Sequence, residues 1–89
     1  MPIVIVPGPY QGPTRGRGEL AVEAATARAC LEAVESLHPG FLELVLDAAG
    51  ELHRFVKLFV NDESLASTAL DAKVAEDDRI EVLAAIAGG

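Results

Sequence analysis

The sequence predicts an α+β domain in two layers, a mixed sheet of four to five strands packed on one main helix. Three observations lead to this fold class. Short β-branched runs with strand-like patterning lie at both ends of the chain, Pro2 to Val6 and Arg79 to Leu83. Between them, the stretch behind Thr26 carries its apolar residues at helical spacing. The length of 89 residues makes a single domain with one small core, because a chain of this size buries only roughly 60–65% of the surface its unfolded form exposes. Each apolar face then needs a mate, which a helix laid on a sheet provides.

Pro2 to Val6 is a strand cut off by Pro7, expected to be central and buried on both faces. Pro7 to Gly18 holds too many turn formers for a helix or strand and is expected to be a long mobile loop. Within it Arg15-Gly16-Arg17-Gly18 could hold an anion, but it lacks the lysine and hydroxyl spacing of a nucleotide-binding loop and reads as a solvated hairpin tip. Glu19 to Glu23 alternates polar and apolar, as a half-buried strand pairing back on the first does. Thr26 offers an N-cap hydroxyl. Behind it Ala27, Cys30, Leu31, Val34 and Leu37 form one stripe, and Pro39-Gly40 ends the helix.

Phe41 to Leu46 satisfies helix and strand periodicity alike, with a helix of one or two turns preferred. After the turn Asp47 to Gly50, Leu52 to Val60 alternates as a strand closed by Asn61-Asp62. Val56, Leu58 and Val60 point one way, Phe55 and Phe59 the other. Glu63 to Leu65 adds a short edge pairing, Leu70 and Val74 cover the bottom of the core, and Ala75 to Asp78 turns the chain into the final strand.

Seven Lys and Arg against fourteen Asp and Glu give a formal charge of -7, so most of this surface repels a phosphate backbone. Nucleic acid is not an expected partner, and an acidic domain suits approach to basic rims on other proteins. With no basic leader or long apolar run, the chain reads as a soluble cytoplasmic domain with no membrane partner. Cys30 has no second thiol and no histidine at catalytic spacing and reads as core; His38 and His53 read as structural or surface residues, so no metal site is expected.

The chain ends Ala84-Ala85-Ile86-Ala87-Gly88-Gly89. Paired glycines have no Cβ and lose the most entropy on ordering, so a core has little use for them there. A thin tail can, however, be threaded down a narrow channel that any side chain would block. Read alone, the same ending is equally a frayed terminus.

This ending, with a strand just before it, resembles the MoaD/ThiS family of ubiquitin-like sulfur carriers. Leu52-His53-Arg54-Phe55-Val56, Phe59-Val60-Asn61-Asp62-Glu63 and Asp77-Asp78-Arg79-Ile80 are most similar to the member of that family that serves cysteine biosynthesis. The resemblance implies a ubiquitin-like β-grasp in which the first and last strands lie parallel at the sheet centre and a flexible tail, about residues 84–89, leaves from the last strand. It implies a carrier rather than an enzyme. Gly89 would be adenylated by a ubiquitin-activating-type adenylating/sulfurtransferase enzyme and converted to a thiocarboxylate, with Gly88 as the clearance that lets it reach the active site. The thiocarboxylate would then attack an aminoacrylate held on a pyridoxal-phosphate-dependent, cysteine-synthase-like enzyme, with a metalloprotease-type hydrolase as a further partner. ATP and pyridoxal phosphate belong to those partners, and no cofactor is expected on this chain. Phe55, Phe59 and Leu83 on the open sheet face, with Ile86 and Ala87 in the tail, are the expected partner contacts. Alternatives are a molybdopterin synthase small subunit, a carrier for another sulfur-containing metabolite, and a ubiquitin-like modifier or interaction domain.

Overall fold

The computed structural model describes residues 1–84. Its elements are β1 (Ile3–Ile5), β2 (Glu19–Ala21), α1 (Ala27–Leu37), α2 (Leu42–Val45), β3 (Val56–Val60), β4 (Glu63–Leu65) and β5 (Arg79–Ala84), with one-turn 3-10 helices at Gly8–Tyr10 and Ser67–Ala69. The strands make one mixed sheet in the order β2-β1-β5-β3-β4. β1 and β5 are parallel neighbours at its centre, Ile3 opposite Arg79 and Ile5 opposite Glu81, and the other pairs are antiparallel. A parallel pair needs a long crossover, which here contains α1. This is the β-grasp arrangement.

α1 starts where Thr26 accepts a hydrogen bond on its hydroxyl from the Ala29 amide at 3.0 Å, satisfying an amide the first turn would otherwise leave unpaired. It buries Ala27, Cys30, Leu31 and Val34 against Val4, Leu20, Leu58, Ile80 and Val82 of the sheet. Leu37, expected on that stripe, is 62% exposed. At 100° per residue it lies about 70° from the stripe centre, which carries it past the edge of the buried face.

The chain turns at Gly40, whose φ of +103° suits a residue without a Cβ. The Glu35 carboxylate accepts from the amides of Gly40 at 3.2 Å and Leu42 at 2.8 Å, tying the end of α1 to the start of α2. Phe41, Val45 and Leu46 are thereby delivered into the helix-side core, and Phe41 is completely buried. The segment forms the short helix preferred from the sequence and does not cover the outer sheet face.

One burial pattern and two boundaries differ from what the sequence predicts. β1 buries Val4 completely but leaves Ile3 and Ile5 half-buried, because only one face of the sheet is covered by helix. The second strand ends at Ala21 rather than Glu23, although Val22 stays buried and its amide donates to the Pro2 carbonyl at 2.9 Å. The strand expected over Leu52 to Val60 starts at Val56. Ahead of it the Leu52 amide donates to Ser67 Oγ, the His53 amide to the Val45 carbonyl, and the Val56 amide to the His53 carbonyl, so these donors are spent on turns and on the core underside.

The segment from Pro7 to Gly18 is a folded lobe rather than a solvated tip. Thr14 is completely buried, its hydroxyl donating to the Arg17 carbonyl at 2.9 Å, while the Gln11 side-chain amide donates to the Val6 carbonyl at 2.9 Å. Pro13 lies against Gly40, where an added Cβ would meet its ring at 3.7 Å. Among the described residues no helix is long and apolar enough to cross a membrane.

Candidate docking face and tail exit

Because side chains alternate along a strand, the register fixes which residues share the uncovered face. Glu81 lies between Ile5 of β1 and Phe59 of β3, while Leu83 pairs with Lys57. Leu83 is therefore the diagonal neighbour of both Ile5 and Phe59, a spacing of about 7–8 Å that long side chains can bridge. Leu83 is 37% exposed, Phe59 is half-buried, and neither belongs to the core cluster. The alternation expected from the sequence holds: Val56, Leu58 and Val82 are buried on the other face.

Phe55 differs from its expected setting. It sits in the turn before β3, 46% exposed, with the Arg54 guanidinium 5.5 Å above its ring. A cation over an aromatic face is weakly held at such an exposed position. Val56 pairs with Ala84, so Arg54 and Phe55 stand at the edge where β5 ends. Ile86, Ala87, Gly88 and Gly89, the remaining expected contacts and the expected carrier residue, lie outside the described residues.

The sequence pattern does not single out Ile5 as part of this face. A continuous apolar run reads as a strand buried on both sides, and the only available signal was its odd parity with Ile3. Apolar side chains interleaved with Glu81, Lys57 and Arg79 make a face suited to a protein partner.

The described residues offer little chemistry of their own. Cys30 is completely buried, and loss of solvation, with the charge of Asp78 second, pushes its thiol above the usual range. It is thus a protonated core residue at neutral pH. Among the described residues no three His, Cys, Asp or Glu side chains are grouped to hold a metal ion.

Residues 5–89 match the ThiS family. The sulfur carrier protein CysO of Mycobacterium tuberculosis and that of Mycobacterium bovis are each 33% identical over 89 residues, an alignment spanning 97% of this chain and 96% of theirs. Among solved structures, CysO in the Amycolatopsis orientalis BexX/CysO complex superposes with a TM-score of 0.88 at 33% identity, covering 100% of both chains. SAMP1 of Haloferax volcanii, with a TM-score of 0.77 at 22% identity over 99% of this chain and 98% of its own, shares the fold.

Proposed function

The chain belongs to the ThiS family, and from that premise we propose that it is a CysO-like sulfur carrier whose C-terminal Gly89 bears the sulfur as a thiocarboxylate, for use in cysteine biosynthesis. It is a carrier acted on by enzymes, not a catalyst. The observation that supports the finer reading most directly is the pairing of β5 at the sheet centre with a sequence that runs on from Ala84 to a terminal diglycine. A strand paired with β1 over Arg79 to Glu81 and with β3 as far as Ala84 gives the enzyme a fixed platform from which to take a thin substrate.

A carboxylate, with an ordinary pKa of about 3.5, is anionic at neutral pH and a poor electrophile. It needs activation. In the proposed sequence a Gly89 oxygen attacks the α-phosphate of ATP and pyrophosphate leaves, giving an acyl-adenylate. A sulfide-level donor then attacks the acyl carbon; the C–S bond forms as the C–O bond to AMP breaks. ATP, its metal and pyridoxal phosphate are held by the partner enzymes. This chain's residues supply the acyl terminus, the clearance at Gly88, and a face bearing Phe59, Leu83 and Ile5 on which the activating enzyme docks, with Ile86 and Ala87 as further contacts. CysO of A. orientalis forms a complex with BexX, which supports a carrier read by partner proteins. A pyridoxal-phosphate-dependent, cysteine-synthase-like enzyme takes the sulfur, and a metalloprotease-type hydrolase frees the carrier. In this reading the carrier acts in the cytoplasm.

Deletion of Gly89, or replacement of Gly88 by Phe, should abolish carrier-dependent ATP–pyrophosphate exchange by the adenylating enzyme while the circular dichroism stays unchanged. Exchange that survives loss of Gly89 rules out its role as the acyl terminus.

A further inference from the structure

We propose that the Gly8–Gly18 lobe presents Arg15 and Arg17 as a basic contact for an acidic rim around the mouth of the enzyme that activates the tail. This rests on the sulfur-carrier reading above. The topology sets the location. β1 and β5 are parallel and run to the same edge of the sheet, and β2 starts from that edge, so the lobe joining β1 to β2 stands at the edge toward which β5 runs to Ala84, from which the diglycine sequence continues. Arg54 stands at the same edge on the other side, one turn ahead of β3.

Charge is divided along the sheet axis. Among the described residues Arg28 pairs with Asp71 and Arg79 with Glu19, whereas Arg15, Arg17 and Arg54 are exposed and form no salt bridge. The opposite edge, where β2 ends and β5 begins, is acidic in balance, with Glu23, Asp62, Glu63, Glu76, Asp77 and Asp78 against Lys73 and Arg79, while Glu19, which bonds Arg79, is the acid that opens β2 at the arginine edge. A partner with a basic rim would draw that edge toward itself and turn the tail away. An acidic rim draws in the arginine edge, tail first, despite the net charge of -7. The sequence reading of a basic rim is thereby reversed at the end that matters.

The lobe is also built for presentation. An antiparallel pair can be joined by a turn of about two residues, yet here the connection spans the whole of Pro7 to Gly18. Buried Thr14 and the Gln11 amide staple it, the Gly16 amide donates to the Gln11 carbonyl at 2.9 Å, and Arg15 is held at φ +56°, where glycine would be easier. Arginines carried on a fixed backbone lose less freedom on docking than arginines on a floppy loop.

The test measures carrier-dependent ATP–pyrophosphate exchange with the adenylating enzyme from the same organism, across ionic strengths of about 0.02 to 0.3 M. The wild-type KM for the carrier should rise with salt. The R15G/R17Q variant, in which glycine suits the left-handed position, should raise the low-salt KM roughly three- to tenfold, leave kcat unchanged and flatten the salt dependence. R15K/R17K should restore most of the effect, and Lys73→Gln at the opposite edge should change nothing. A salt-independent wild-type KM overturns the proposal without any variant; so does a folded R15G/R17Q that behaves as wild type. If the enzyme activates neither protein, the sulfur-carrier reading itself fails, and with it this contact.

Discussion

Asn61 holds Asp78 across the tail-distal edge of the sheet, its Nδ2 donating to Asp78 Oδ1 at 2.7 Å. The same side chain accepts the Arg79 amide at 3.0 Å, and Asp78 Oδ2 accepts the Ala75 amide at 2.7 Å. Asn61 and Asp62, at φ +50° and +71°, are the two turn residues between Val60 and Glu63, so one turn both closes the β3–β4 hairpin and aligns the start of β5. Asparagine and aspartate tolerate this left-handed backbone better than other non-glycine residues. Asp62→Val should therefore cost about 1–2 kcal/mol, whereas Asp62→Gly should be neutral or stabilising, measured by urea unfolding.

The same latch gives a pH signature. The hydrogen bond from the Ala75 amide, and then that from Asn61, hold the Asp78 carboxyl below its ordinary value. A depressed folded pKa means that the stabilisation is present above the unfolded carboxyl's range and is lost as the pH falls through the lower folded value. The urea midpoint should hold from neutrality down to about pH 5 and then decline. Asp78→Asn should be less stable at neutral pH and should lose less on acidification; an unchanged acid slope would remove Asp78 from this role.

The helix-side core and the uncovered sheet face should respond very unequally to truncation. Phe41→Ala empties a fully buried site and should cost about 3–5 kcal/mol, a large part of the roughly 5–15 kcal/mol that holds a domain together. Leu83→Ala, on the uncovered face, should stay within about 0.5 kcal/mol of wild type. Equal losses would mean that the outer face is packed.

Docking should show the reverse sensitivity. Phe59→Asp and Leu83→Asp should keep the native circular dichroism and weaken binding to the adenylating enzyme by about tenfold or more. Calorimetric titration measures this, and wild-type affinity in both variants would take the docking site off this face.

Cys30 should be silent. Its buried, protonated thiol should react with a disulfide reagent only as fast as the domain opens, and Cys30→Ala should leave sulfur loading intact. Rapid labelling of the native protein would contradict its place in the core.

Local chemistry was the legible part of the fold. Thr26 caps α1, Val60 and Val82 take the buried face, and Leu70 closes the core bottom as their patterns imply. What the sequence hid depends on distant partners. Nothing local to Leu52 says that its amide belongs to Ser67, and Thr14, a hydroxyl amid turn formers, gives no sign that it is completely buried. Arg28 is likewise decided from afar, by Asp71 at 2.9 Å and the Gly50 carbonyl at 2.7 Å. Of the expected site, the parity of Phe59 and Leu83 was readable. The turn at Phe55 and the place of Ile5 were not, because both depend on where helix cover stops.

Sulfur loading at Gly89 is read from the intact mass of the full chain after incubation with its adenylating enzyme, ATP and sulfide. The mass should rise by the difference between one sulfur and one oxygen atom, in the wild type and in Cys30→Ala but not after deletion of Gly89. An unchanged mass with a demonstrably active enzyme, or adducts joined to lysines of other proteins in its place, would contradict the sulfur-carrier account.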